Sequence, residues 1–189
     1  MAKEKAKPWI VYTGPVELGY MHIVRPDEKF GEPVYKCEFF KTPEDAKAFV
    51  KAIESDPRAQ GQKLRTTKVD GKIRIRSKQK AILTWIDKAT GKPATRDMKP
   101  RLLHLVDGKV ETYEGPTPYS GSVADLELEV VPYDNLGGGI TLRIRGLLLH
   151  EIVTGTGGGT QWGGDTSYEG SDEGSAEEEP GDDDDDRKW

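Results

Sequence analysis

Along most of the chain apolar and polar residues alternate with a period of two, and one stretch alone switches to the period of a helix. "VELGYMHIV" (Val16 to Val24) and "VYKCEFF" (Val34 to Phe40) read as strands, with turn chemistry between them in "RPDEKFGEP". The helix follows. Thr42 is a good N-cap, Pro43 suits the first helical position, and Glu44 and Asp45 lie in the first turn. Ala46, Phe49, Val50 and Ile53 then form one apolar stripe, and Pro57 stands just past its end.

From Lys68 onward the pattern is all β. "GKIRIRSK" alternates strictly, with Ile73 and Ile75 on one face and Lys72, Arg74, Arg76 and Lys78 on the other. "AILTWID" either prolongs this strand or returns as a hairpin. "KATGKPATRD" reads as a flexible turn, "RLLHLVDGKVETY" as two strands about an Asp107-Gly108 turn, and "EGPTPYSGS" as loop. "ADLELEVV" and "ITLRIRGLLLHEIV" flank "PYDNLGGG" and predict a last hairpin. A register in which paired numbers sum to 272 sets Leu128 against Ile144 and Val130 against Leu142, and on the outer face Glu129 against Arg143 and Glu127 against Arg145. Gly146 reads as a bulge, because apolar residues follow it on both faces.

Charge changes this picture more than composition does. The 189 residues carry a formal net charge of −5, but the charge is segregated. From Gly155 to Trp189 there are 12 acids and 2 bases, a net of −10, and the preceding 154 residues hold 26 bases and 21 acids. The chain therefore divides into a basic body, 1–154, and a Gly-rich, acidic tail, 155–189, with too little apolar content to fold. Within the body, Gln62 to Arg101 holds 13 bases and 3 acids, a local excess that suggests phosphate partners. Arg143 and Arg145 have carboxylates opposite them in the hairpin register, whereas Arg74 and Arg76 have no acid evident nearby, so the contact is expected on the 72–80 strand.

Candidate chemistry narrows the choice by elimination. "HEIVT" lacks the second His that a zinc-protease helix needs, and "GTGGGTQ" lacks the Gly-Lys-Ser/Thr of a phosphate loop. The single Cys37 excludes a disulfide framework and suggests a reducing compartment. No catalytic group, metal site or cofactor is expected, and neither a signal peptide nor a membrane-spanning run is evident. What remains is a basic, aromatic-bearing β surface, the usual way to hold single-stranded nucleic acid, with bases stacked on rings and phosphates tracked by Lys and Arg. Trp9, Tyr12, Tyr20, Tyr35, Trp85, Tyr113, Tyr119 and Tyr133 are the candidate rings, and Tyr20, Tyr35, Trp85 and Tyr133 rank first. The candidate cations are Lys36, Lys63, Arg65, Lys72, Arg74, Arg76, Lys78 and Lys80. A mainly β body of this size with one helix suits an OB-type barrel followed by a disordered tail.

Several stretches, taken in order, resemble the single-stranded-DNA-binding proteins of the T-odd phage replication system. They are the opening "MAK", "GYMHIVRPDEKFGEPVYK", "IRIR", "IDKATGK", "LLHLVDGK", "VVPY", "LLLHEIVTGTGGG", and an acidic tail that ends in an aromatic. The resemblance implies an OB barrel with one helix that coats single-stranded DNA without sequence preference in phage DNA replication and recombination. It implies that the tail contacts the replication polymerase and helicase–primase, of phage or host, and competes for the protein's own groove. Asp182, Asp183, Asp184, Asp185 and Asp186 would then mimic phosphates and Trp189 would serve as the handle. The family's Val-Pro-Tyr falls on Val131, Pro132 and Tyr133, the Tyr being implicated in DNA contact. Asn135 stands where the family has a second aromatic, and Glu127 and Glu129 where its strand is basic. The implied setting is the cytoplasm of an infected bacterial host. Duplex DNA and a homodimer stay open as further partners. The competing readings are a duplex-DNA or RNA architectural binder and a non-nucleic-acid adaptor.

Overall fold

The computed structural model describes residues 7–29, 31–134 and 137–155. The predicted helix is α1, Pro43–Glu54, and it starts where its cap chemistry says: the Thr42 hydroxyl accepts from the Asp45 N–H at 3.2 Å. Ala46 and Ile53 of its stripe are buried against the core, with Phe49 edge-on to Phe39. Pro57 opens a short 3-10 turn over Pro57–Ala59.

The strands are β1 (Trp9–Asp27), β2 (Val34–Lys41), β3 (Thr66–Val69), β4 (Lys72–Lys80), β5 (Ile82–Ile86), β6 (Pro93–Asp97), β7 (Arg101–Val106), β8 (Lys109–Thr112), β9 (Val123–Tyr133) and β10 (Gly139–Glu151). Eight form one sheet in the order β3-β4-β2-β1-β9-β10-β7-β8. Its five long members, β4-β2-β1-β9-β10, curl until β10 lies beside β4, and a parallel bridge from Leu64 to Ile140 marks the closure. This is an OB-like barrel with one helix, as the pattern predicts. Its core is the inward set of the five long strands, including Leu18, Ile23, Phe39, Ile75, Leu126, Leu128, Leu142 and Ile144. Cys37 belongs to that core, and burial pushes its thiol up to about 12, so it is an inert apolar filler.

Two irregularities aim side chains. Between Leu18↔Phe39 and Met21↔Cys37 the β1–β2 register slips by one residue. Without this bulge Tyr20 would share the buried face of Leu18; with it, Tyr20 turns outward. Gly19 is required there, because a Cβ would stand 2.8 Å from the Phe40 ring. The second bulge is at Gly146, as expected, and it corrects the predicted hairpin register. Glu129↔Arg143 and Leu128↔Ile144 hold, but Glu127 then faces Gly146. Arg145 instead bonds Glu129 at 2.7 Å, and Glu127 bonds Arg101 at 2.8 Å.

The segment after β4 forms a hairpin of its own. β4 ends at Lys80, and β5 pairs with β6 as a separate two-stranded ribbon. Half of the expected flexible turn, Pro93–Asp97, is therefore strand; the turn itself is tied by Asp87, which accepts from the Ala89 N–H at 3.0 Å and the Thr90 hydroxyl at 2.9 Å. Backbone bonds Ala81 N–H to Pro33 and Met98 N–H to Ala81, both 2.8 Å, fasten the base of the ribbon to the barrel. The tail from Thr156 onward, with Asp182 to Asp186 and Trp189, lies outside the described residues.

Candidate nucleic-acid interface

On β2, Tyr35, Cys37 and Phe39 are buried, so Lys36 and Glu38 face outward; on β4, Ile75, Ser77 and Gln79 are buried, so Arg74, Arg76, Lys78 and Lys80 do. The bases of the 72–80 strand therefore do share one surface. They are not free of acids, and here the charge-based expectation needs correction. Glu38 lies opposite Arg76 and serves both arginines, at 2.7 Å to Arg76 and 3.6 Å to Arg74. Lys72 is bonded to Glu17 and Lys80 to Glu32. Alternation predicts a strand's faces, but an acid two strands away in the sequence is invisible until the register is known. Among the described residues Lys78 has no carboxylate partner.

A second row crosses the strands and meets the first at Lys78. His22 pairs with Lys36, and Lys36 with Lys78, in adjacent ladders. Beyond β4, a groove of about 370 Å³ is lined by Lys78, Lys80, Thr141 and Arg143, which carries the row on to β10. At its β1 end Tyr20 joins it. The Tyr20 hydroxyl is 2.7 Å from His22 Nε2, and the Lys36 ammonium sits 4.9 Å from the Tyr20 ring centre. Lys36 also holds Asp27, whose carboxyl is kept below the ordinary aspartate range chiefly by that bond and then by the Lys29 N–H. Two inter-strand steps of about 4.8 Å, from His22 through Lys36 to Lys78, span about 10 Å, and the groove between β4 and β10 carries the row further.

The sequence-derived candidates thus separate into groups. Tyr20, Lys36, Arg74, Arg76, Lys78 and Lys80 are brought together on one wall. Tyr35 is not: it is only 5% exposed, on the inward side of β2, where burial and then Asp97 push its hydroxyl above the ordinary range. Lys72 stands at the far end of β4, held to Glu17. Lys63, Tyr133 and their neighbours occupy the corner after α1. Lys63 bonds Glu54 at 2.8 Å, its carbonyl accepts the Ile140 N–H, and half-buried Tyr133 packs over Gly139. Arg65 is exposed just before β3. Trp85 rides on the β5–β6 ribbon, 44% exposed. The sequence-based selection misses His22, which strand pairing places in the row, and Arg143, which the approach of β10 to β4 places there, and passes over Tyr119, which lines a groove with Tyr20.

No family model matches the chain, and no curated protein is similar to it in sequence. Solved structures are. The chain is similar to gp2.5, a single-stranded DNA-binding protein encoded by bacteriophage T7, with a TM-score of 0.59 at 18% identity, over 89% of this chain and 100% of that one. It is also similar to the single-stranded DNA-binding protein of bacteriophage Enc34 in complex with single-stranded DNA, with a TM-score of 0.51 at 15% identity, over 76% of this chain and 87% of that one. A C-terminal truncation of the Enc34 protein gives 0.51 at 17% identity, over 80% and 94%. The chain has the fold of the phage single-stranded-DNA-binding proteins.

Among the described residues no cluster of His, Cys, Asp or Glu is placed to hold a metal ion, and no helix is long and apolar enough to cross a membrane.

Proposed function

We propose that this protein binds single-stranded DNA without sequence preference and serves phage DNA replication and recombination as a coating protein rather than an enzyme. The observation that carries the reading is the crossing of two rows at Lys78: the bases of β4 along the strand, and Tyr20, His22, Lys36 and Arg143 across it. Phosphates exchange readily into such a wall. Exposed ion pairs such as Lys80–Glu32 are worth about 0–1 kcal/mol each, so a phosphate displaces a carboxylate at little cost. At about 3.4 Å per stacked nucleotide the roughly 10 Å from His22 to Lys78 takes about three nucleotides, and the groove on to Arg143 extends the track toward the low end for an OB fold. Nothing on the wall selects a base, since rings stack on every base.

The tail, residues 155–189, completes the proposal. Its 12 acids against 2 bases make it an electrostatic competitor for the same wall, and a Gly-rich sequence of that length, if unfolded as its composition implies, would span about 30–35 Å, enough to return to the barrel at an effective concentration of order mM. Asp182 to Asp186 supply the phosphate-like charge, and Trp189 is the handle for polymerase and helicase–primase partners. The test is a mobility shift on single- and double-stranded DNA and RNA, with and without residues 165–189. Preference for single-stranded DNA, tightened by the truncation at low salt, is expected. Equal binding to duplex, or no binding to any nucleic acid, would turn the reading toward an architectural binder or an adaptor.

A further inference from the structure

We infer that Tyr119 and Tyr20 form a slot for one unpaired base at the β1 end of the wall, an inference that rests on the proposed single-strand binding. A groove of about 540 Å³ runs between β1 and the loop before β9, with Tyr20 and Tyr119 on its sides and Met21, Val24 and Pro118 among its lining. Both rings are open to solvent, Tyr20 at 57% and Tyr119 at 53%.

The Tyr119 backbone is held in place. Its N–H donates to the Val153 carbonyl at 2.8 Å, its carbonyl accepts from the Ser122 hydroxyl at 2.7 Å, and the preceding Pro118 is buried and bridged to Thr154. One side of the ring lies against Gly155, where a Cβ would come within 2.6 Å of it. A large aromatic fixed by its backbone, backed by a glycine and left half open has a face presented for a flat partner, at little further entropic cost. The occupant is specified by the groove's charge. Arg25 lines it, exposed and without a carboxylate partner among the described residues, and the Lys36 ammonium, which the occupant would share with Asp27, lies over Tyr20 at its edge. Aromatic walls with two cations at the rim suit a base with its phosphate, and the groove continues the row through His22, Lys36 and Lys78. The slot adds a nucleotide to the track on the side away from Arg143.

The test uses the full chain with oligo-dT and with an abasic oligonucleotide of equal length, titrated across salt. Tyr119→Ala lowers oligo-dT affinity about tenfold, within the 5- to 150-fold that a lost stack implies, and leaves the salt slope unchanged. Tyr119→Phe keeps wild-type affinity, and on the abasic strand wild type and Tyr119→Ala bind alike. Tyr119→Leu, which keeps the apolar bulk, repeats the oligo-dT loss if the alanine variant does not fold. If wild type binds oligo-dT with a steep salt slope but the Tyr119 variants match it, or weaken the abasic strand equally, the slot is overturned and strand binding stands. If wild type fails to bind oligo-dT, the proposed function itself fails.

Discussion

The barrel carries one tripeptide twice, Arg74-Ile75-Arg76 on β4 and Arg143-Ile144-Arg145 on β10. Both isoleucines are buried, and both arginine pairs straddle one glutamate of the neighbouring strand. Glu38 lies 3.6 and 2.7 Å from Arg74 and Arg76, and Glu129 lies 3.6 and 2.7 Å from Arg143 and Arg145. The clamps are alike, and their surroundings are not. Arg76 keeps 62% of its side chain exposed, against 26% for Arg145. After Arg76 the alternation runs on into Lys78 and Lys80, whereas after Arg145 the bulge hands Glu127 to Arg101 and the strand turns apolar. The same local ion pairing thus leaves Arg76 displaceable on β4 and builds Arg145 into a hairpin on β10, where Arg143 alone reaches the wall.

The largest expected effect separates the two clamps directly. Arg76→Glu with Lys78→Glu removes two charge-assisted phosphate contacts, each worth about 1.5–3 kcal/mol, and lowers single-strand affinity at least about a hundredfold in a fluorescence titration. Arg145→Glu lowers affinity far less and shows instead as a loss of thermal stability. Equal loss of affinity from both would erase the distinction between the clamps.

Salt dependence sharpens the same contrast. With about five phosphates neutralised, raising salt from 50 to 200 mM costs roughly a hundredfold in affinity. Lys78→Ala reduces the slope of log affinity on log salt by about 0.7, one phosphate's share on a single strand, and Arg145→Ala leaves it unchanged.

Why the clamps were hard to tell apart in advance follows from what a linear pattern encodes. Period-two alternation reveals which side of a strand is outward, so the faces of β4, β9 and β10, the helix and its Thr42 cap are legible. So were Leu128↔Ile144 and Glu129↔Arg143, because apolar and charge patterns agreed on one register. The Glu127–Arg145 pair failed because a bulge at Gly146 shifts everything beyond it by one residue. Glu38 was overlooked as the partner of Arg74 and Arg76 because α1 and β3 separate β2 from β4 in the chain, although they are neighbours in the sheet. Residue type does not place Tyr35: an aromatic on a basic strand suits a stacker and a buried residue equally, and only its parity with Cys37 and Phe39 decides for the buried side.

Removing the glutamates themselves should give smaller effects of opposite kind. Glu38→Gln frees Arg76, and partly Arg74, whose Nε is buried without a partner, and tightens single-strand binding a few-fold at low salt. Glu129→Gln gives no such gain. Its carboxylate is the more enclosed of the two, and losing it leaves Arg145 without a counter-charge, at a cost of about 1–3 kcal/mol, read as a fall of several degrees in Tm. A gain as large as that from Glu38→Gln would put Arg145 in the binding wall beside Arg143.

The smallest effect concerns the pair that ties the transverse row to the β1–β2 turn. The bond from Lys36, aided by the Lys29 N–H, holds the Asp27 carboxyl below the ordinary aspartate value of about 3.9. A lowered folded value means the unfolded chain takes up the proton first as pH falls. The pair's stabilisation is therefore complete above about pH 5 and disappears as pH drops through the lowered value, below about 4. Asp27→Asn should consequently unfold at a slightly lower temperature than wild type, by the same margin everywhere from about pH 5 to 8, and the two melting curves should converge under more acid conditions. Because the substitution also releases Lys36 toward a phosphate, single-strand affinity at neutral pH rises slightly, about twofold or less, as expected for an exposed pair. A margin that grew on acidification would mean that Asp27 is stabilised in its protonated form, and Lys36 would then already be free for the wall without it.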